Sequence, residues 1–217
     1  MIADDELGRL YRVHFEQVTG APKPGSTLPP WRNDPAKNGG GISVDWGSYD
    51  LDWLGFILGD RFRPRTVFAT MGNYFPLTAE RVPPCLDVDG RLAAEILCED
   101  GLTIHWERRA AEHGPARHNV EFRGTRAGID LCFLPMGEKQ LIHHYAHLGA
   151  ADLAEQTLPD APPNWEDALV FPIRDLTGAI LKDRAPSGTM DGLLRIHGLY
   201  DALFASARTE QAAPVVR

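Results

Sequence analysis

Between Pro84 and Pro135 the chain runs in short apolar-polar alternations separated by Asp89-Gly90, Glu99-Asp100-Gly101 and Thr125-Arg126-Ala127-Gly128. Period-two patterning between glycine-bearing turns predicts antiparallel strands joined by tight hairpins. The runs give five strands in meander order: Cys85 to Val88, Leu92 to Cys98, Leu102 to Arg108, His118 to Gly124 and Ile129 to Leu134. In the second of these, Ala, Leu and Glu favour helix, and the flanking turns decide for strand. In the third, Leu102, Ile104 and Trp106 face the core. That sends Thr103, His105 and Glu107 to the opposite face, beside Glu121, Arg123 and Asp130.

Around this sheet the spacing predicts helices. Leu7, Leu10, Tyr11, His14 and Val18 fall on one face of a helix over 4–18, with His14 on its buried stripe. Residues 48–58 form a second helix, with Ser48 as N-cap, Leu51, Leu54 and Leu58 on one face and Gly59 as the stop. Residues 138–157 carry Leu141, Tyr145 and Leu148 on one stripe, and 190–207 carry Leu193, Ile196, Tyr200, Leu203 and Phe204 on another. Thr66 to Thr70 reads as a strand. Trp165 to Ile173 reads as an edge strand, since Pro172 could not sit in a central one. The expected architecture is α+β: one domain over 1–217, with a single mostly antiparallel β-meander of about five to seven strands. The helices pack mainly on one of its faces.

Residues 20–41 are rich in Pro and Gly and form a long loop, with Trp31 and Arg32 as its anchors. Loops of about 20 residues inside compact domains are usually functional. The triple glycine, Gly39-Gly40-Gly41, has no preceding strand and no Lys-Ser/Thr ending, so it is not a phosphate-binding loop. The tail, 209–217, is expected to fray.

A net charge of −8 over 217 residues disfavours nucleic acid and anionic lipid as partners and favours a basic protein. No run approaches the apolar length of a membrane span. Three cysteines without a CxxC pair, Cys85, Cys98 and Cys132, point to reduced thiols and a cytoplasmic location.

Three groups of residues are candidates for chemistry. His143 and His147, four apart on the 138–157 helix, could share a divalent metal, with a third ligand from Asp152, Glu155, His113 or His118; the same histidines also fit a solvated helix face. No other cofactor is expected. His105, Glu107, Glu121 and Arg123 on the polar sheet face could act as an acid/base set, although cross-strand charge pairs on an open sheet explain the same residues. Asp45, Trp46, Tyr49, Asp50 and Asp52, at the start of the 48–58 helix, combine contact area with negative charge and suit a basic partner; carboxylates capping a core helix would look alike. The expected function is an acidic interaction module, such as an inhibitor or immunity-type protein that binds a basic partner. The alternative is a small metal-dependent or acid/base hydrolase.

Overall fold

The computed structural model describes residue 2 and residues 4–20, 30–73, 88–112, 114–132, 140–146, 153–158 and 165–216. In chain order the elements are β1 (Leu10–Gly20), α1 (Pro35–Asn38), α2 (Ile42–Asp45), α3 (Gly47–Leu58), β2 (Pro64–Gly72) and β3 (Arg91–Cys98). They continue with β4 (Thr103–Glu112), β5 (Arg117–Gly124), β6 (Ala127–Cys132), β7 (Gln140–Ala146) and β8 (Leu153–Leu158). The chain closes with α4 (Trp165–Leu181), α5 (Met190–Thr209) and β9 (Ala213–Pro214). One mixed sheet orders the strands β8-β7-β6-β5-β1-β4-β3-β2-β9.

The α+β class and the single sheet agree with the sequence expectation; the meander does not. Most of the expected helix over 4–18 instead lies in β1, the central strand, parallel to β4 and antiparallel to β5. Val13, Phe15 and Gln17 point into the core, while Arg12, His14 and Glu16 stand on the other face. The helical spacing of Leu10, His14 and Val18 is coincidental beside this alternation, which β-branched and aromatic residues favour. β4 and β5 are neighbours in sequence, yet β1 separates them in space.

Two further helix and strand expectations reverse. Residues 138–157 contain the antiparallel strands β7 and β8, with His143 opposite Gln156 and His144 opposite Glu155. Trp165 to Ile173 belongs to α4, which carries Pro172 inside it. The tail is anchored: Ala213 is buried, β9 pairs with β2, and Val215 N donates to Arg65 O at 2.9 Å. Of the expected strand 85–88, only Val88 is among the described residues, and it is buried.

α3 and α5 match their expected positions and cover the core face. Leu51, Leu54 and Leu58 bury themselves against the sheet, and α5 contributes Leu199, Ala202 and Leu203. Each such leucine contributes on the order of 1.5–3 kcal/mol through burial. Trp53 bridges to Phe15 and Phe122, at centroid distances of 5.8 and 6.1 Å. Ser206 Oγ accepts from Ala69 N at 2.9 Å and donates to Gln211 O at 2.6 Å, tying α5 to β2.

The triple glycine has a structural role. Asp89 does not turn a hairpin; its carboxylate accepts from Gly41 N at 2.7 Å and Ser43 N at 2.9 Å, and its carbonyl accepts from Ile42 N at 2.9 Å. These bonds satisfy the orphan donors at the start of α2. A Cβ on Gly41 would overlap the Asp89 backbone, so only glycine allows this approach. Gly101, in the β3–β4 turn, has φ +86 with open space around it. Gly41→Ala should therefore cost roughly 2–3 kcal/mol through overpacking, and Gly101→Ala about 1 kcal/mol through backbone strain alone. Urea unfolding of both variants checks the difference.

Candidate functional site

The core face of the sheet is apolar along most of its length and turns polar at one end. Arg108 of β4, Gln17 of β1 and His118 of β5 lie in one lateral row, since Gln17 is opposite Arg108 and also opposite His118. Adjacent strands stand about 4.8 Å apart, so the row spans roughly 10 Å. Arg108 and Gln17 are buried, at 8% and 5% exposure. Extending the alternation Leu102, Ile104, Trp106 by one step would have placed Arg108 inward; extending Phe122, Val120 the other way would have placed His118 there too.

α3 begins above this row. Gly47 rests on the Trp106 ring so closely that a Cβ there would sit 2.7 Å from it. Asp50, on the first turn, accepts from Trp106 Nε1 at 3.0 Å and from Arg108 Nε at 2.5 Å, with a second Arg108 bond from Nη2. Burial pushes the Asp50 carboxyl up, against the pull of Arg108 and Trp106. The Arg108 guanidinium also lies 5.8 Å from the centre of the Trp46 ring. Asp50 is thus a structural carboxylate at 4% exposure, and the expectation that it meets a basic partner is wrong for it.

The other residues of that group lie at the start of α3 and nearer the surface. Trp46 and Tyr49 are 49% and 68% exposed, with ring centroids 5.8 Å apart. Asp45, half-buried, pairs with Arg32 at 3.5 Å, while Asp52 is exposed. Arg32 stacks on the exposed Trp31 at 5.4 Å. Ser43 Oγ and Arg32 Nε are buried without a hydrogen-bond partner among the described residues. His118 Nδ1 donates to Gln17 Oε1, which in the neutral ring makes Nε2 the lone-pair nitrogen. Burial, and then Arg108, lower the His118 pKa. This end of the core face thus gathers hydroxyl, carboxylate, guanidinium and imidazole groups close to aromatic rings.

The polar sheet face is occupied by mutual pairing. His105 Nδ1 bonds Glu95, and its ring stacks on His14 at 4.8 Å. Glu107 accepts from Arg109 Nε at 2.9 Å, and Arg123 bridges Glu121 at 3.0 Å and Asp130 at 2.5 Å. Burial pushes the Glu107 carboxyl up, but Arg109 and Arg91 outweigh it and the net shift is downward. His105 and Glu121 are separated by β1 and do not adjoin. His14 is lowered by burial, then by His105. A cavity of about 500 Å³ lies over Tyr11, Arg12, His14, Glu95, Thr103 and His105.

The helical face that would have joined His143 to His147 does not exist at His143, which is a strand residue opposite Ile129. His147, Asp152 and His113 lie outside the described residues. Among the described residues no three His, Cys, Asp or Glu side chains converge as metal ligands. Cys98 is buried and its thiol is pushed up to about 12 by burial, so it is no nucleophile. No described helix is long and apolar enough to cross a membrane.

Residues 1–130 match the family described as the GFO/IDH/MocA C-terminal domain. No curated protein matches the chain. Among solved structures, levoglucosan dehydrogenase in complex with NADH is 18% identical with a TM-score of 0.81, covering 100% of this chain and 61% of its own. An NAD binding oxidoreductase from Klebsiella pneumoniae gives the same values. An aldose-aldose oxidoreductase from Caulobacter crescentus complexed with glycerol is 20% identical with a TM-score of 0.72, covering 98% of this chain and 58% of its own. This chain therefore spans about three fifths of the length of these similar proteins. The family match, with oxidoreductases as structural neighbours, overturns the interaction-module and immunity-protein expectation and the hydrolase alternative alike.

Two outcomes follow from the buried groups. Arg108→Met strands the Asp50 carboxylate and should cost roughly 3–5 kcal/mol, while adding Asp50→Leu should restore much of it; denaturant unfolding of both variants reads the recovery. Neutral His14 and His118 stabilise the fold fully above the unfolded histidine pKa of about 6.5, and this contribution is lost as pH falls through their depressed folded values. Melting temperatures should drop from about pH 7 to about pH 5, and His14→Gln with His118→Gln should flatten that slope.

Proposed function

The chain belongs to the GFO/IDH/MocA C-terminal domain family, and from that premise we propose that it is the substrate-binding part of an NAD(P)-dependent oxidoreductase acting on a sugar or polyol. The observation that carries this reading is the polar row Arg108, Gln17 and His118 beneath the start of α3. It breaks an otherwise apolar core face at the point where Tyr49 and Asp45 are presented. Buried polar groups are costly to keep, and a convergent cluster of them is the usual mark of a site.

Among the described residues no cradle for a dinucleotide is formed. A dinucleotide cradle needs a strand, a glycine turn and a helix in succession; here Gly39-Gly40-Gly41 follows α1 and is held by Asp89. The cofactor would be held outside these residues and would take hydride from a hydroxyl-bearing carbon. This chain's own groups bind and orient the substrate. Trp46 offers an apolar ring to the carbon face of a sugar. Arg108 and Gln17 fix the floor, and His118 presents a neutral imidazole. Tyr49, one helical turn beyond Asp45, has an exposed hydroxyl able to exchange a proton with a substrate hydroxyl. A cytoplasmic location is part of this reading, on the strength of the free buried thiol of Cys98.

Titration of ¹⁵N-labelled protein with levoglucosan and with L-sorbose tests the site. Amide shifts should concentrate at 41–50 and near Gln17, Arg108 and His118, with millimolar affinity, and weaken in Tyr49→Phe. Shifts confined to the His14/His105 face, or no shifts with either sugar, would overturn the reading.

A further inference from the structure

On the polar face of the sheet the arginines are matched with carboxylates one by one. Arg91 pairs with Glu107 at 3.5 Å, Arg109 with Glu107 at 2.9 Å, Arg117 with Glu112 at 2.8 Å, and Arg123 with Glu121 at 3.0 Å and Asp130 at 2.5 Å. Arg12 breaks the pattern. Its strand neighbours are Thr103 of β4 and a second arginine, Arg123 of β5. Among the described residues its guanidinium meets His14 Nδ1, 3.5 Å from Nη2, instead of a carboxylate. Like charges directly opposite one another on a sheet are destabilising, so this position carries an excess of positive charge. The next row deepens it: His14 is opposite His105 and stacks on it at 4.8 Å. Of the carboxylates beside that pair, Glu95 is opposite His105 and bonds its Nδ1, Glu121 is opposite His14 and is taken by Arg123, and Glu107 and Glu16 are held by Arg109. Burial lowers the His14 pKa, His105 and Arg12 lower it further, and Glu121 and Glu16 only partly oppose them.

The geometry points to a binding site for a small oxyanion, a phosphate or carboxylate group, in the hollow of about 500 Å³ over Tyr11, Arg12, His14, Glu95, Thr103 and His105. A guanidinium offers a planar fork of donors that matches either head group. The two rings add complementary character. An arginine can only donate, so the Nδ1 that Arg12 meets is an acceptor and Nε2 of neutral His14 carries the hydrogen. A carboxylate can only accept, so His105 Nδ1 carries its hydrogen and Nε2 keeps a lone pair. Arg12 and His14 thus supply donors for an anion, and His105 an acceptor for a hydroxyl on the same molecule. Thr103 and Tyr11 add hydroxyl groups of their own. The volume lies within the range of small-molecule sites, which leaves room for more than a bare ion. Bound negative charge would offset the repulsion between Arg12 and Arg123 and favour the protonated form of His14. The hollow lies across the sheet from Gln17, Arg108 and His118, so it stands independently of the substrate site.

Titration of the ¹⁵N-labelled chain with sodium sulfate, inorganic phosphate, gluconate and glucose 6-phosphate at constant ionic strength tests the site, with glucose as the uncharged control. Amide and imidazole shifts should concentrate at 11–14, 95 and 103–105. Sulfate keeps its charge from about pH 8 to about pH 6, so its binding should tighten severalfold over that fall as His14 gains a proton. His14→Gln should remove this pH dependence. Arg12→Gln should weaken every bound anion at least about tenfold with an unchanged melting temperature, since Arg12 is exposed. Arg117→Gln, also exposed but paired with Glu112, should leave binding as it was. Gluconate bound without glucose 6-phosphate identifies a carboxylate ligand, the reverse a phosphate ester, and inorganic phosphate alone free phosphate. Shifts absent or spread evenly over the other arginines, glucose binding as well as the anions, or unchanged affinity in Arg12→Gln would each overturn the proposal.

Discussion

The structure depends on β1 lying between β4 and β5. Eleven residues of chain separate Glu107 from Asn119, yet the two do not pair, because Glu16 stands between them. A parallel pair cannot be closed by a hairpin, so the chain must leave β1, lay down α1 to α3, and build β2 and β3 before β4 can return alongside. That route places α3 over the centre of the sheet, with its first turn on Trp106 and its carboxylate on Arg108. The site geometry is a by-product of the crossover.

This explains what was legible in the sequence. β3 to β6 are local: each alternates cleanly and follows a turn, and their boundaries were readable to within a few residues. α3 and α5 announced themselves through leucine spacing and, for α3, a glycine stop. β1 was hidden by the feature that gives it a role. Gln17 occupies a core-facing position, so the apolar alternation Val13, Phe15 breaks there, and Leu10, His14 and Val18 then offer a competing helical period. The lateral row was concealed for a different reason. Gln17, Arg108 and His118 are remote in sequence, and pairing between strands leaves no local trace.

The candidate residues divide along the same line. Trp46, Tyr49 and Asp45 were singled out from their own composition, and of these Trp46 and Tyr49 are exposed at the start of α3. Their partnership with Arg32 and Arg108 is a matter of tertiary contact. Asp50 was grouped with them on spacing alone, although a helix turn only about 5.4 Å in rise separates a rim position from a buried one. The histidines at 143, 144 and 147 looked most like a site because i, i+4 is a helical relation; in a strand it has no such meaning.

β9 is two residues long, but it settles the fate of one margin of the sheet. Open strands invite further strands, from the same protein or another, along their row of unpaired amides. Here the last residues fold back over β2, and one of the two, Pro214, has no amide hydrogen to offer. The covering strand thus shields β2 and is itself a poor template. Removing a handful of C-terminal residues would leave every buried leucine in place and still uncover the β2 backbone from Arg65 to Val67, so the tail guards that stretch of edge as well as lending Ala213 to the core.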